Sequence, residues 1–177
     1  MKMSHPVPIL LLALSGAACE STVAPESAAT ALTPAMAHAV PHTDAVGTFT
    51  QTAITSLEVS QAGPNTFLEQ TSMGLVAGTL SGSYTDDLNV TIHPNGRFNA
   101  HFTIRCECTI DGRHGTVEFV ASDRGELVSP TLAAFAGRAT ITGGTGELSA
   151  VRGVLEIEGT IDLATGLATY AYSGRIH

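Results

Sequence analysis

The chain predicts an all-β domain of about eight antiparallel strands, a sheet that closes into a small barrel or folds over as a sandwich. Three observations predict it. Apolar and polar residues alternate with period two from Gly47 to the C-terminus. Turn-forming residues punctuate that alternation at short intervals. No helical segment is available to cover the apolar face, so the sheet must cover itself.

Strands are expected near residues 47–60, 65–73, 74–84, 86–93, 97–110, 114–122 and 136–143, with two more inside 153–177. Gly63-Pro64-Asn65 separates the first pair. Leu88, Val90 and Ile92 mark one face of a strand that ends at Pro94-Asn95-Gly96. That turn has a mechanism: Pro presets φ, while Asn and Gly tolerate the positive φ that a hairpin requires. Phe98, Ala100, Phe102, Ile104, Cys106 and Cys108 then fall on one face, against Asn99, His101, Thr103, Arg105 and Glu107 on the other. Asp111-Gly112 is the next turn, followed by Val117, Phe119 and Ala121 in alternation. Residues 123–135 (DRGELVSPTLAAF) form the longest break in the pattern and are expected to hold a short helix. Leu155, Ile157 and Ile161 alternate with acidic and Thr residues, and after Thr165-Gly166 so do Ala168, Tyr170, Tyr172 and Ile176 with polar ones. Glycines within strands, such as Gly78, Gly82 and Gly159, suit the bends of a small barrel.

The N-terminus has a different character. Lys2 and the apolar stretch Val7–Leu14 read as a signal segment over residues 1–18, too short to span a bilayer. Ser15-Gly16-Ala17-Ala18-Cys19 resembles the lipobox of bacterial lipoproteins, although Gly16 stands where leucine is more usual. The resemblance implies cleavage, lipidation of Cys19, export, and a membrane-anchored protein of the cell envelope. The other reading is an ordinary secretory signal ending near Ala18. Residues 19–46, with Pro25, Pro34 and Pro41 and few bulky apolar side chains, read as a flexible tether. His38 and His42 within it read as solvated rather than metal-binding. The domain is expected over residues 47–177.

Composition narrows the function. Charged residues are 14% of the chain, below the roughly 25% of an average soluble domain. Residues 47–177 hold seven arginines against thirteen acidic residues, a net charge of −6. No basic patch is available for nucleic acid. Nine aromatic residues and no Trp leave few stacking platforms for sugars or bases.

The most distinctive stretch is Gly143-Gly144-Thr145-Gly146-Glu147-Leu148-Ser149-Ala150-Val151-Arg152-Gly153. It lacks the lysine and the following helix of a phosphate-binding loop. It reads instead as a tight connection between strands. Its spacing resembles dirigent proteins and the wider allene oxide cyclase-like barrels, with Leu148 in place of an aromatic residue. It is also similar to an exported bacterial family of unknown function that shares this barrel. Gly78-Thr79-Leu80-Ser81-Gly82 and the closing Tyr170-Ala171-Tyr172-Ser173-Gly174 fit that likeness. The resemblance implies an eight-stranded antiparallel barrel. It does not carry one function, because the fold hosts cyclisation, guidance of coupling and other roles.

No G-x-S-x-G or H-E-x-x-H signature is present. Cys106-Glu107-Cys108 reads as two small core residues, with a disulfide and a soft-metal site as the other readings. His93, His101, His114 and His177 read as turn, outer-face and terminal residues, so neither a metal nor a cofactor is expected. Glu156, Glu158 and Asp162 read as a solvated outer face. Glu69 shares a parity with Phe67 and Met73, which directs a carboxylate inward and makes it the candidate acid–base residue. Tyr84, Tyr170 and Tyr172 are the candidate ligand-binding residues. The function expected is a lipid-anchored barrel that binds a small apolar molecule. The alternatives are a cyclase or isomerase acting in the cavity and a structural or interaction module of the envelope. The sequence leaves the oligomeric state open.

Overall fold

A computed structural model describes residues 42–177. The signal segment, Cys19 and the tether up to residue 41 lie outside the described residues. Eight strands follow one another: β1 (Thr43–Ala62), β2 (Asn65–Gly78), β3 (Ser81–Ile92), β4 (Arg97–Ile110), β5 (Arg113–Ser129), β6 (Leu132–Gly144), β7 (Gly153–Asp162) and β8 (Ala168–Ile176). Each pairs antiparallel with the next, and β8 returns to β1 over Thr43–Thr50, so the barrel is closed. Closure pairs both edges of the sheet over that span, while β1 runs on past β8 from Gln51 to Ala62.

Alternation decides which side chains fill the interior. In β4 the residues read as the apolar face, Phe98 through Cys108, are all buried, and Ile110 extends the row. Asp111 turns the chain with a φ of 51° before Gly112, the positive-φ pair of a two-residue hairpin. Cys106 and Cys108, two apart on one face and with Cα atoms 5.4 Å apart, are joined as a disulfide. This corrects the reading of two free core thiols and removes the soft-metal alternative.

Three expectations for the elements are revised. β1 begins at Thr43, ahead of the expected Gly47, because Ala45 is fully buried and Thr43–Val46 already pair with β8. The two hairpins expected between residues 65 and 93 are one: the turn falls at Thr79-Leu80, where Leu80 points into the core. The break at 123–135 holds no helix. β5 runs through it to Ser129 and β6 resumes at Leu132, leaving Pro130-Thr131 as the turn. Its polar run reads as loop, yet Asp123 keeps the inward parity of Val117, Phe119 and Ala121.

The barrel has two unlike ends. One carries the β2–β3, β4–β5 and β6–β7 connections and is packed solid. Phe49, Leu80, Ile110, Val117, Phe119 and Leu155 there are each under 2–3% exposed. The motif at 143–153 caps this end. Thr145 hydrogen-bonds Thr116 through both backbone (2.9 Å) and hydroxyl (2.6 Å). A short 3₁₀ turn, Gly146–Leu148, then drives the fully buried Leu148 into the core. Gly146 holds a φ of +61°, which glycine adopts without strain. Gly115 lies so close beneath the cap that a Cβ would sit 2.1 Å from the Thr145 carbonyl oxygen. Arg152 donates to the carbonyls of Ser149 (3.1 Å) and Val151 (2.7 Å), which fixes the exit into β7 at Gly153. Gly143, Gly144, Thr145, Gly146, Leu148, Arg152 and Gly153 therefore build a lid from backbone and one apolar plug.

Candidate functional site

The other end, which carries the β1–β2, β3–β4, β5–β6 and β7–β8 turns, is open. It encloses a cavity of about 390 Å³ whose walls are mostly apolar, with Leu88, Val90, Phe98, Phe102, Phe135 and Ile161 prominent. Volumes of this size are typical of small-molecule sites. Leu57 and Val59 at the end of β1, Leu127 and Val128 at the end of β5, and Leu163 on the β7–β8 turn stand exposed, so the rim is apolar too. A broader depression outside, across β4 to β8, is lined by exposed side chains such as His101, Arg138 and Glu158 and is solvated sheet surface.

The cavity floor is polar and comes from five strands. Gln51 of β1 accepts a hydrogen bond from the Ala168 amide (2.9 Å). Its amide nitrogen donates to the Ser72 hydroxyl (2.8 Å) and to Asp86 Oδ2 (3.1 Å). Ser72 in turn donates to Asp86 Oδ1. All three are buried. Burial pushes the Asp86 carboxyl above the usual range, and the Ser72 and Gln51 hydrogen bonds hold part of that shift back.

Asp123 of β5 is 8% exposed, and its Oδ1 has no hydrogen-bond partner. Burial alone pushes its carboxyl up to about 7. The Tyr84 and Tyr170 hydroxyls face each other as their nearest hydrogen-bonding groups, close to Asp86, and Tyr170 also senses Asp123, yet neither reaches ordinary hydrogen-bond geometry with any partner. Burial raises both phenols, so at neutral pH both remain protonated donors. Unpartnered buried polar groups are rare in folded proteins and call for an explanation.

The candidate residues separate on this geometry. Tyr170 lines the cavity, whereas Tyr84 is not part of its lining and only brings its hydroxyl near Tyr170 and Asp86. Tyr172 belongs to the closed end, where its hydroxyl accepts the buried Leu80 amide at 2.8 Å. It is a structural residue. We expect Tyr172→Phe to cost about 1–3 kcal/mol, because the Leu80 N–H loses its partner. A urea midpoint unchanged from wild type would contradict this.

Glu69 is corrected outright. It is exposed on the outer face. The inward row of β2 runs through Ser72, Gly74 and Val76, while Met73 is 43% exposed. The carboxyls inside are Asp86 and Asp123, which the sequence reading passed over. A signal was present: Asp86 shares the parity of Leu88 and Val90, and Asp123 that of Phe119 and Ala121. Among the described residues no group of three or more His, Cys, Asp or Glu side chains is placed to hold a metal ion.

These features define a closed, up-and-down antiparallel β-barrel with one plugged end and one open, acid-floored cup. Solved structures similar to it include two pterocarpan synthase dirigent proteins. PsPTS1 is 15% identical, with 77% of this chain and 94% of that chain covered at a TM-score of 0.46. GePTS1 is 17% identical, with 77% and 87% covered at a TM-score of 0.46. No protein-family model matches the chain, and no curated protein matches it.

Proposed function

We propose that this domain binds a small, largely apolar molecule in the open end of the barrel, with one polar group of the ligand seated on the Asp86–Asp123–Tyr170 floor. One observation carries the reading: Asp123 Oδ1 and the Tyr170 hydroxyl are buried at the base of an apolar cavity, and Asp123 Oδ1 has no hydrogen-bond partner. A bound molecule would supply that partner, and the apolar walls would supply the driving force. The proposal extends to place. The N-terminal signal directs export, and a lipidated Cys19 anchors the barrel to an envelope membrane.

A second reading concerns catalysis, and the state of Asp123 favours it. A carboxyl held near 7 can both take and give a proton at neutral pH. With the Tyr170 donor near it, the floor could move a proton within a bound molecule, as an isomerase or cyclase requires.

Mass spectrometry of the native protein after mild extraction tests both site and anchor. The expected spectrum shows a co-purifying small molecule and an acylated Cys19. Ala100 is 3% exposed on the cavity wall, and Ala100→Leu fills the space, so that variant is expected to lose the molecule while keeping the acyl group. An empty wild-type barrel counts against binding, and an unmodified Cys19 counts against the anchor.

A further inference from the structure

We propose that the head group this cavity selects is a protonated amine carried on a compact hydrophobic body. The inference rests on the binding reading above and specifies its ligand class. It begins with an inventory of the floor. Gln51 and Ser72 are fully engaged with Ala168, with each other and with Asp86. The lining groups left over are the Asp123 carboxyl and the Tyr170 hydroxyl, with the Tyr84 hydroxyl close to Tyr170.

The charge balance points the same way. No Lys, Arg or His is among the described residues lining the cavity, although two carboxyls are. Every element packed around Asp123 is either apolar or acidic on this side. β4 presents Phe98, Ala100 and Phe102, and β6 presents Phe135 and the bare backbone of Gly137. β8 presents Tyr170, and Tyr84 and Asp86 of β3 complete the cluster. A buried carboxylate without a counter-charge is costly.

Three head groups can be compared. A carboxylate or phosphate would meet two acids and an apolar wall, and is excluded. A hydroxyl or carbonyl would engage a tyrosine but leave Asp123 without a counter-charge. An ammonium supplies the counter-charge and up to three donors, for Asp123 and the Tyr170 phenol oxygen. The aromatic rings of Phe98, Phe102 and Phe135 in the wall can also favour a cation over a neutral group. At about 390 Å³ the cavity holds roughly a dozen waters at about 30 Å³ each, which suits one ring and a short chain.

Calorimetric titration with three matched probes tests this: 4-phenylbutylamine, 4-phenylbutanol and 4-phenylbutyrate. The amine is expected to bind at least about tenfold more tightly than the alcohol at pH 8, and the acid not to bind. The amine's advantage is expected to shrink as the pH falls from 8 to 5.5, since protonation of Asp123 removes the counter-charge. Asp123→Asn, checked for an intact barrel by its far-UV spectrum and melting, is expected to bring the amine-to-alcohol ratio near one. Equal binding of amine and alcohol to the wild type overturns the amine assignment and leaves the binding reading standing. A ratio that survives in Asp123→Asn overturns it as well. Failure of all three probes to bind removes both.

Discussion

Phe49→Ala is expected to cost about 3–5 kcal/mol, the range for removing a buried aromatic side chain. For a domain whose whole stability is of order 5–15 kcal/mol, that leaves little in reserve. The expectation is specific to this position. Phe49 is 2% exposed and touches four other aromatic rings. It stacks on Tyr170 at 5.1 Å and meets Tyr84 (5.1 Å), Tyr172 (5.4 Å) and Phe119 (6.2 Å) edge to face. Those rings belong to β3, β5 and β8, so one side chain ties three other strands together across the barrel. The nearest large space is the cup above, and removal of Phe49 would extend that space downward rather than let the core collapse. Tyr84 and Tyr170 would lose the ring that orients their hydroxyls. The variant is thus expected to lose ligand affinity as well as stability, with a melting point lower by on the order of 10–20 °C. Phe49→Leu, which keeps most of the bulk, is expected to recover most of both. Thermal melts of the three proteins decide it, and a small loss in Phe49→Ala would mean that the aromatic cluster is not the girder of the barrel.

Much of the barrel was legible because most inward side chains are apolar and most outward ones are not. β4 has the ends its alternation predicts, Arg97 and Ile110, since its inward row from Phe98 to Ile110 contains no charged residue. The alternation fails at two places, and both supply carboxyls to the cavity. Around Asp86 and Asp123 the sequence looks like loop: Thr-Asp-Asp in one case, Asp-Arg-Gly-Glu in the other. Each is the continuation of a strand, with one carboxyl turned inward. A rule that expects apolar interiors reads a buried acid as the boundary of an element, so Asp86 stands at the start of an expected strand and Asp123 in an expected break. Glu69 shows the converse error. The inward face of β2 includes Gln70 and Ser72, while Phe67 and Met73 lie on the outer parity, so the apolar signal marked the wrong face. The motif at 143–153 was conspicuous for its glycines, and those serve the lid at the closed end rather than any ligand.

Asp123→Asn is expected to stabilise the protein by about 2 kcal/mol at pH 8 and to have almost no effect at pH 4. Unfolded, the Asp123 carboxyl gives up its proton near the ordinary 3.8, whereas folded it keeps the proton up to about 7. Between those values the folded state binds more protons than the unfolded chain. Stability therefore falls as the pH rises through this window and levels off above it. The full span corresponds to at most about 4 kcal/mol, at 1.36 kcal/mol for each pH unit. Asparagine removes the titration but keeps a buried polar group of the same shape, so about half of that is returned. Asp86 titrates in the same direction in both proteins and cancels in the comparison. Urea unfolding of wild type and variant from pH 4 to pH 8 measures the difference directly. Two curves that stay parallel would show that Asp123 does not ionise in a buried setting. Curves that diverge only as the pH rises would mean that the wild-type barrel carries a destabilising carboxylate above about pH 7. Selection retains such a burden where a site needs it, and the ligand that meets Asp123 would then be expected to raise the melting point of wild type far more than that of Asp123→Asn.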